Sequence, residues 1–146
     1  MKTRLLLSLF VLAGCSPITN YQTIVKTPAP QSLEGVWRTS GPQSGLVSKD
    51  AVGYLIIDPA GNTLDCRQWQ RVIAKPGKLS RIDNQWVNVN HQVRIMPLTR
   101  ENGMLHYDRL TLTKVSSPSA ACQKALAEAK AQPQAETIQN IEIDGQ

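Results

Sequence analysis

The stretch Leu64-Asp65-Cys66-Arg67-Gln68-Trp69-Gln70-Arg71-Val72 is the most distinctive in the chain for ligand-binding side chains. Successive residues of a strand point to opposite faces. Read as one strand, it sets Arg67, Trp69 and Arg71 on one face and Leu64, Cys66, Gln68, Gln70 and Val72 on the other. A guanidinium offers paired donors to an anion, and an indole offers a flat apolar plane for stacking. Arg67, Gln68, Trp69, Gln70 and Arg71 therefore form a candidate binding patch for an anionic or carbohydrate-like ligand. Neither face is cleanly apolar, so either a bulge breaks the alternation or the polar groups line a site. The plain alternative keeps Trp69 in the core, with the arginines reaching solvent and the glutamines on the surface.

Other chemistry is thinly provided. Arg71, Lys75, Lys78 and Arg81 make a basic run that could attract anionic lipid or lipopolysaccharide phosphates, although such runs are usually solvated faces. His106 and Asp108 have the spacing of a general base with an orienting carboxylate, or of two metal ligands, but no third ligand or nucleophile stands beside them. His91 lies in a turn. No Gly-rich phosphate loop, nucleophile elbow, zinc motif or repeat is present. The chain thus reads as non-enzymatic, with no catalytic residue, metal or cofactor assigned.

The first residues address the chain. Lys2 and Arg4 precede an apolar run from Leu5 to Leu12, followed by small residues and Cys15, the layout of a secretion signal. Eight residues, one of them Ser8, fall far short of the roughly 20 needed to cross a bilayer as a helix. Leu12-Ala13-Gly14-Cys15 resembles the bacterial lipoprotein box, which implies a signal peptide over 1–14 and a lipidated Cys15 as the first mature residue. Acyl methylenes contribute about 0.8 kcal/mol each on burial, so the three chains usual in such lipoproteins hold for practical purposes permanently. Ser16, by likeness to enterobacterial lipoproteins in which Asp at this position retains the protein in the inner membrane, implies the outer membrane, with the domain facing the periplasm.

Cleavage leaves 132 of the 146 residues, enough for one domain. It also removes Lys2 and Arg4, lowering the formal charge from +5 to +3. So small a surplus, together with export, argues against nucleic acid as a partner. The expected partners are the membrane, through the lipid, and an envelope protein or anionic glycolipid, with the chain itself a monomer. Once Cys15 is acylated, Cys66 and Cys122 remain, and in an oxidising compartment two thiols most simply pair. A bridge closing a loop of about 57 residues would add about 4 kcal/mol by restricting the unfolded chain. A metal pair or a reactive thiol is the alternative.

The elements that must position these groups are short strands. Residues 16–32 are polar with three prolines and read as a tether, extending at most about 55 Å, which Tyr21, Ile24 and Val25 could shorten by docking on the body. A single β-rich domain with a C-terminal helix is expected over 33–131. Its strands are Val36–Thr39, Tyr54–Asp58, Thr63–Ala74, Leu79–Ile82, Trp86–Val89, Gln92–Leu98, Met104–Tyr107 and Leu110–Val115, and its turns include Pro59-Ala60-Gly61-Asn62 and a type II turn at Pro76-Gly77. Regular short strands predict a small antiparallel barrel or sandwich. Ser117 and Pro118 open a helix over Ala120–Ala131, which a Cys66–Cys122 bridge would staple to the sheet. Residues 132–146 read as a disordered tail, with a short added strand as the alternative.

Val25-Lys26-Thr27-Pro28-Ala29-Pro30, Gly41-Pro42-Gln43, the run from Thr63 through Leu79 and the later Cys122 resemble the YedD family of enterobacterial lipoproteins. Leu33-x-Gly35-x-Trp37 is similar to the first strand of lipocalin-like barrels. The first resemblance implies an envelope lipoprotein with paired Cys66 and Cys122 and no established activity. The second implies, as a rival to a plain interaction module, a lipocalin-like carrier of a small apolar or anionic ligand whose cavity Gln68 and Gln70 would partly line.

Overall fold

The computed structural model describes residues 20–132 and the backbone of 137–140. The expected signal peptide, 1–14, and Cys15 lie outside the described residues. Eight strands run up and down in chain order: β1 (Gly35–Thr39), β2 (Val52–Ile57), β3 (Asn62–Trp69), β4 (Arg71–Ile82), β5 (Gln85–Asn90), β6 (Ile95–Glu101), β7 (Met104–Tyr107) and β8 (Leu110–Val115). Each pairs antiparallel with its chain neighbours, and β1 pairs with β8, so the sheet closes into a barrel. Of the two architectures expected, the barrel is the one formed.

Two features meant for other geometry make that closure. Thr63–Ala74 is not one strand: the chain reverses at Gln70, whose φ is 52°, and Trp69 pairs with Arg71 across the reversal. No Gly, Asn or Pro marks this point, which is why alternation alone carried the expected strand past it. Pro76-Gly77, conversely, makes no turn and lies inside β4. There β4 exchanges partners, since Thr63 of β3 and Asn90 of β5 both pair with Gly77. A Cβ on Gly77 would stand 2.6 Å from Thr63 Oγ1 and 2.7 Å from Asn88 Oδ1. The glycine serves close backbone approach at a barrel corner rather than a turn.

Inside the barrel, Trp37, Leu55, Ile57, Leu79, Leu105 and Leu112 form the centre of the main core, each 1% exposed or less. The Trp37 indole N–H donates to Leu33 O at 2.9 Å, and Arg100 and Lys114 lie 5.5 and 5.8 Å from its ring. This end is thereby closed by side chains, and it also carries the turns at 58–61, 83–84 and 102–103. Gly61, at φ 91°, completes the first of them and leaves room for Thr27 O, 2.1 Å from where a Cβ would be.

A second core lies outside the barrel, under helix α1 (Ala120–Ala131). Cys122, Ala125 and Ala129 fall on one helix face and are buried against Tyr54, Ile56, Leu64, Cys66 and Val72. Small residues let the helix approach closely enough for the Cys66–Cys122 disulfide, which joins Cα atoms 6.1 Å apart. The cap is Ser119, not Ser117. Its Oγ accepts from Cys122 N at 3.2 Å and donates to Gln68 Oε1 at 2.8 Å, tying the helix start to β3.

The tether is shorter than its composition suggested. From Asn20 the chain is already packed on the barrel wall: a single 3-10 turn, Tyr21–Thr23, is capped by Asn20, and Tyr21 and Ile24 bury against Val87 and Val89 of β5. Val25, in contrast, is 74% exposed. Thr27 N donates to Leu79 O and Ala29 N to Pro59 O, so backbone pairing as well as apolar contact holds this segment. Within the tail expected to be disordered, Thr137–Asn140 forms a ninth strand, β9, beside Arg71–Ala74. Those residues of β4 lie above the stretch that pairs with β5 and so offer an unpaired edge, which a terminal strand can satisfy.

Replacing both Cys66 and Cys122 by Ala should lower the unfolding free energy by about 2–4 kcal/mol, since the bridge closes a long loop. Urea unfolding under oxidising conditions, with reduced wild type as the reference, measures it. Stability equal to that of the oxidised wild type would refute the expectation.

Candidate ligand site at the barrel mouth

Because neighbouring strands alternate in direction, the four remaining connections all lie at the end opposite Trp37. These are residues 40–51, Gln70, residues 91–94 and residues 108–109. They surround an open cleft of about 540 Å³. The longest of them folds over the rim, where Gln43 Nε2 donates to Thr111 O at 2.7 Å and its Oε1 accepts from Thr111 N at 2.8 Å. Leu46, Val47 and Ala51 of this loop supply an apolar side to the cleft.

All five residues of the sequence patch border the cleft. Arg67 and Trp69 face it from β3, and Arg71 enters it from β4, because the reversal at Gln70 brings Trp69 and Arg71 opposite each other. Gln68 has the outward orientation that alternation required and is engaged by Ser119. The basic run does not form one patch. Arg71 and Lys75 reach the cleft, Lys78 donates to Tyr21 O and Ile24 O on the outer wall, and Arg81 stacks on Trp86, 4.9 Å from its ring. Period-two alternation along the long strand β4 disperses it.

The floor of the cleft is a connected polar chain. Thr63 Oγ1 donates to Asn88 Oδ1, Asn88 Nδ2 donates to Tyr107 Oη at 2.9 Å, and Tyr107 Oη donates to Asp65 Oδ2 at 2.7 Å. Asp65 accepts a bidentate pair from Arg67, at 2.7 Å from Nε and 3.0 Å from Nη2. Arg67 Nη2 also donates to Asp108 Oδ2 at 3.0 Å, and Asp108 Oδ1 accepts from Arg94 Nη2 at 2.6 Å. The lining thus carries Arg67, Arg71, Lys75 and Arg94 together with Asp65 and Asp108.

Burial pulls the Arg67 guanidinium towards its neutral form, but Asp65, Tyr107 and Asp108 outweigh it and raise the pKa, so the residue stays charged. Burial holds the Tyr107 phenol well above its ordinary range, and the Asp65 charge and hydrogen bond push it further in the same direction. It therefore remains a neutral donor to Asp65.

Asp65 and Arg94 are the site residues that the sequence reading passed over. Asp65 carried a signal, since residues two apart in a strand share a face and a carboxylate beside Arg67 can pair with it. Arg94 carried none in its own stretch, because the register of the β6–β7 hairpin is what brings it to Asp108. His106 and Asp108 do not act together: His106 contacts Thr111 and Glu101, whereas Asp108 is held by the two arginines. The described residues contain no cluster of three His, Cys, Asp or Glu suited to a metal.

Backbone strain also separates the two ends of the barrel. At the closed end the left-handed positions are Asp83, Asn84 and Asn102, residue types that tolerate positive φ. At the mouth they are Gln70, Val93, Asp108 and Arg109, with φ between 45° and 61°. Strain of this kind gathers at binding sites, where surrounding structure enforces it.

The Tyr107 shift makes a pH prediction with a definite sign. Its phenol keeps a proton in the folded chain at pH values where the unfolded chain loses it, so its contribution is complete below about pH 10 and declines as pH rises further. The slope should reach about 1.4 kcal/mol per pH unit. Tyr107→Phe should flatten that limb relative to wild type while costing about 1–2 kcal/mol near neutrality, because Asp65 loses a donor. Urea midpoints from pH 8 to 11 test this, and parallel alkaline limbs would contradict it.

The comparisons with known proteins agree with this architecture. Residues 18–126 match the family described as "Bacterial lipocalin LPS transport optimiser YedD". The chain is 47% identical over 122 residues to the uncharacterized lipoprotein YedD of Escherichia coli K12, covering 84% of this chain and 89% of that protein. It is also 47% identical over 119 residues to its namesake from Salmonella typhimurium LT2, covering 82% and 84% respectively. A crystal structure of a lipoprotein YedD from Klebsiella pneumoniae superposes with a TM-score of 0.74 at 48% identity, covering 77% of this chain and 96% of that one. A lipocalin-like barrel closed by β3 and β4 and carrying a disulfide-stapled helix, together with these likenesses, places the chain in the YedD lipoprotein family.

Proposed function

We propose that the chain is an acylated periplasmic binding module of the outer membrane, whose mouth engages the anionic, sugar-bearing part of an envelope glycolipid. The observation that carries the reading is the lining of the cleft. Arg67, Arg71, Lys75 and Arg94 stand against Asp65 and Asp108, with the 39% exposed Trp69 beside them as a stacking plane. Paired guanidinium donors suit phosphate. The family's own description, an optimiser of LPS transport, points to the same ligand chemistry.

Size limits what the mouth can do. A cleft of about 540 Å³ falls in the ordinary range for one drug-sized ligand, and the barrel beneath it is filled by Trp37 and its aliphatic neighbours. A headgroup fits such a space, but a multiply acylated glycolipid does not. The role favoured is therefore recognition of an exposed part of the ligand, or of a partner presenting it, rather than enclosure and carriage. The anchor at Cys15 and Ser16, with its outer-membrane address, completes the reading.

Binding of a phosphorylated disaccharide to the full-length protein, followed by calorimetry, tests the site. Arg71→Ala and Trp69→Ala should each weaken binding at least tenfold, equivalent to about 1.4 kcal/mol, with thermal stability within a few degrees of wild type. Unchanged affinity in both would refute the site. Cys15→Ser should move the protein from the outer-membrane fraction to one without acyl chains by mass spectrometry, and a variant still acylated and sedimenting with membranes would refute the anchor.

A further inference from the structure

Among the described residues, the exposed large apolar side chains are Val25, Val47, Trp69 and Ile95. Three of these stand at the mouth: Val47 in the 40–51 loop at 80% exposure, Trp69 at the β3–β4 reversal, and Ile95 at 42% beside the 91–94 loop. Around them are exposed Lys49, Arg71, Arg94 and Arg109, opposed by Asp50 and by Asp108, which the arginines already engage. The turns at the closed end differ. They carry Asp58, Asp83 and Glu101, no exposed large apolar residue, and cations such as Arg81 and Arg100 that are drawn onto Trp86 and Trp37. Apolar tips with an indole among them, ringed by basic residues, are the pattern of a surface that seats in an anionic lipid interface.

The N-terminal segment runs in the matching direction. Traced backward from Ala29 at the Pro59 turn, it passes Thr27 at Leu79 and reaches Ile24 and Tyr21 at Lys78, climbing β4 away from the closed end. The cluster that buries Tyr21 spans the wall from Ile82 near the closed end to Val93 in the 91–94 loop of the mouth. Cys15 precedes Asn20 by five positions, a span of at most about 18 Å. An acyl group at Cys15 therefore lies within reach of the mouth end.

We infer that the rim formed by Val47, Trp69 and Ile95 rests on the anionic membrane in which the chain is anchored, so that the cleft opens onto the lipid interface. This inference rests on the acyl anchor proposed above. A ligand would then enter from the bilayer surface rather than from the aqueous compartment. The three apolar tips sit in the acyl boundary, and Arg71 and Arg109 meet lipid phosphates.

The test uses the full acylated protein reconstituted into vesicles of phosphatidylglycerol and phosphatidylcholine brominated on its acyl chains, since bromine quenches an indole that it touches. After flotation on a density gradient, the wild type should lose tryptophan emission relative to unbrominated vesicles of the same composition. Trp69→Phe should show no such loss, because Trp37 is buried and Trp86 stands beside the 83–84 turn of the closed end. Arg71→Glu with Arg109→Glu should float equally and reduce the loss, and its circular dichroism verifies the fold. Val47→Asn, which leaves the charged ring intact, should do the same. Floating wild type with equal emission in both lipids overturns the orientation, as does a loss that persists in Trp69→Phe. Protein that stays at the bottom of the gradient overturns the anchor itself, and the orientation with it.

Discussion

The mouth exists because β4 pairs along both edges and bends between them. Its upper half satisfies β3 and its lower half β5, and the corner between them admits no side chain at Gly77. Without that bend β4 would splay from one neighbour and the sheet would stay open. Closure then aims the inner faces of β3 and β4 at a common axis, and Arg67, Trp69, Arg71 and Lys75 converge although they lie on two antiparallel strands. The cleft is a by-product of how a twelve-residue strand turns a corner.

Within that frame the polar chain from Thr63 to Arg94 fixes the depth of the cleft. A buried carboxylate such as Asp65 is costly unless its oxygens are satisfied, and here Tyr107 and the Arg67 fork satisfy them. Removing Arg67 would leave two carboxylates without their shared cation, so its place in the site is inseparable from its place in the fold. Arg71 and Trp69 carry no such burden, which leaves them available to an incoming group.

Much of the architecture was legible in the residues. Alternation and turn chemistry marked most strands, the helix followed from its Ala-rich run, and elimination of Cys15 left one pairing. The patch at 67–71 was also readable, because it crowds donors and an indole where a core strand would hold aliphatic residues. The failures share a cause. Gln70 turns without a turn residue, Pro76-Gly77 stays in a strand despite its composition, and Arg94 meets Asp108 from the adjoining strand of the β6–β7 hairpin. Each is decided by which strands pair and in what register, which local pattern does not encode. The N-terminal segment was legible in part: its prolines suggested a spacer that Tyr21, Ile24 and Val25 could shorten, and Tyr21 and Ile24 with two backbone bonds do seat it, while Val25 stays exposed.

The position of the disulfide ties the durability of the fold to its redox surroundings. Cys66 sits on the outer wall formed by β2, β3 and β4, and Cys122 on the helix that lies against it. Under reducing conditions that contact is held by packing alone. Oxidation converts the same contact into a lock by restricting the unfolded chain. A single covalent step can thus divide a more easily opened form of the chain from a durable one, with no change in the residues that touch.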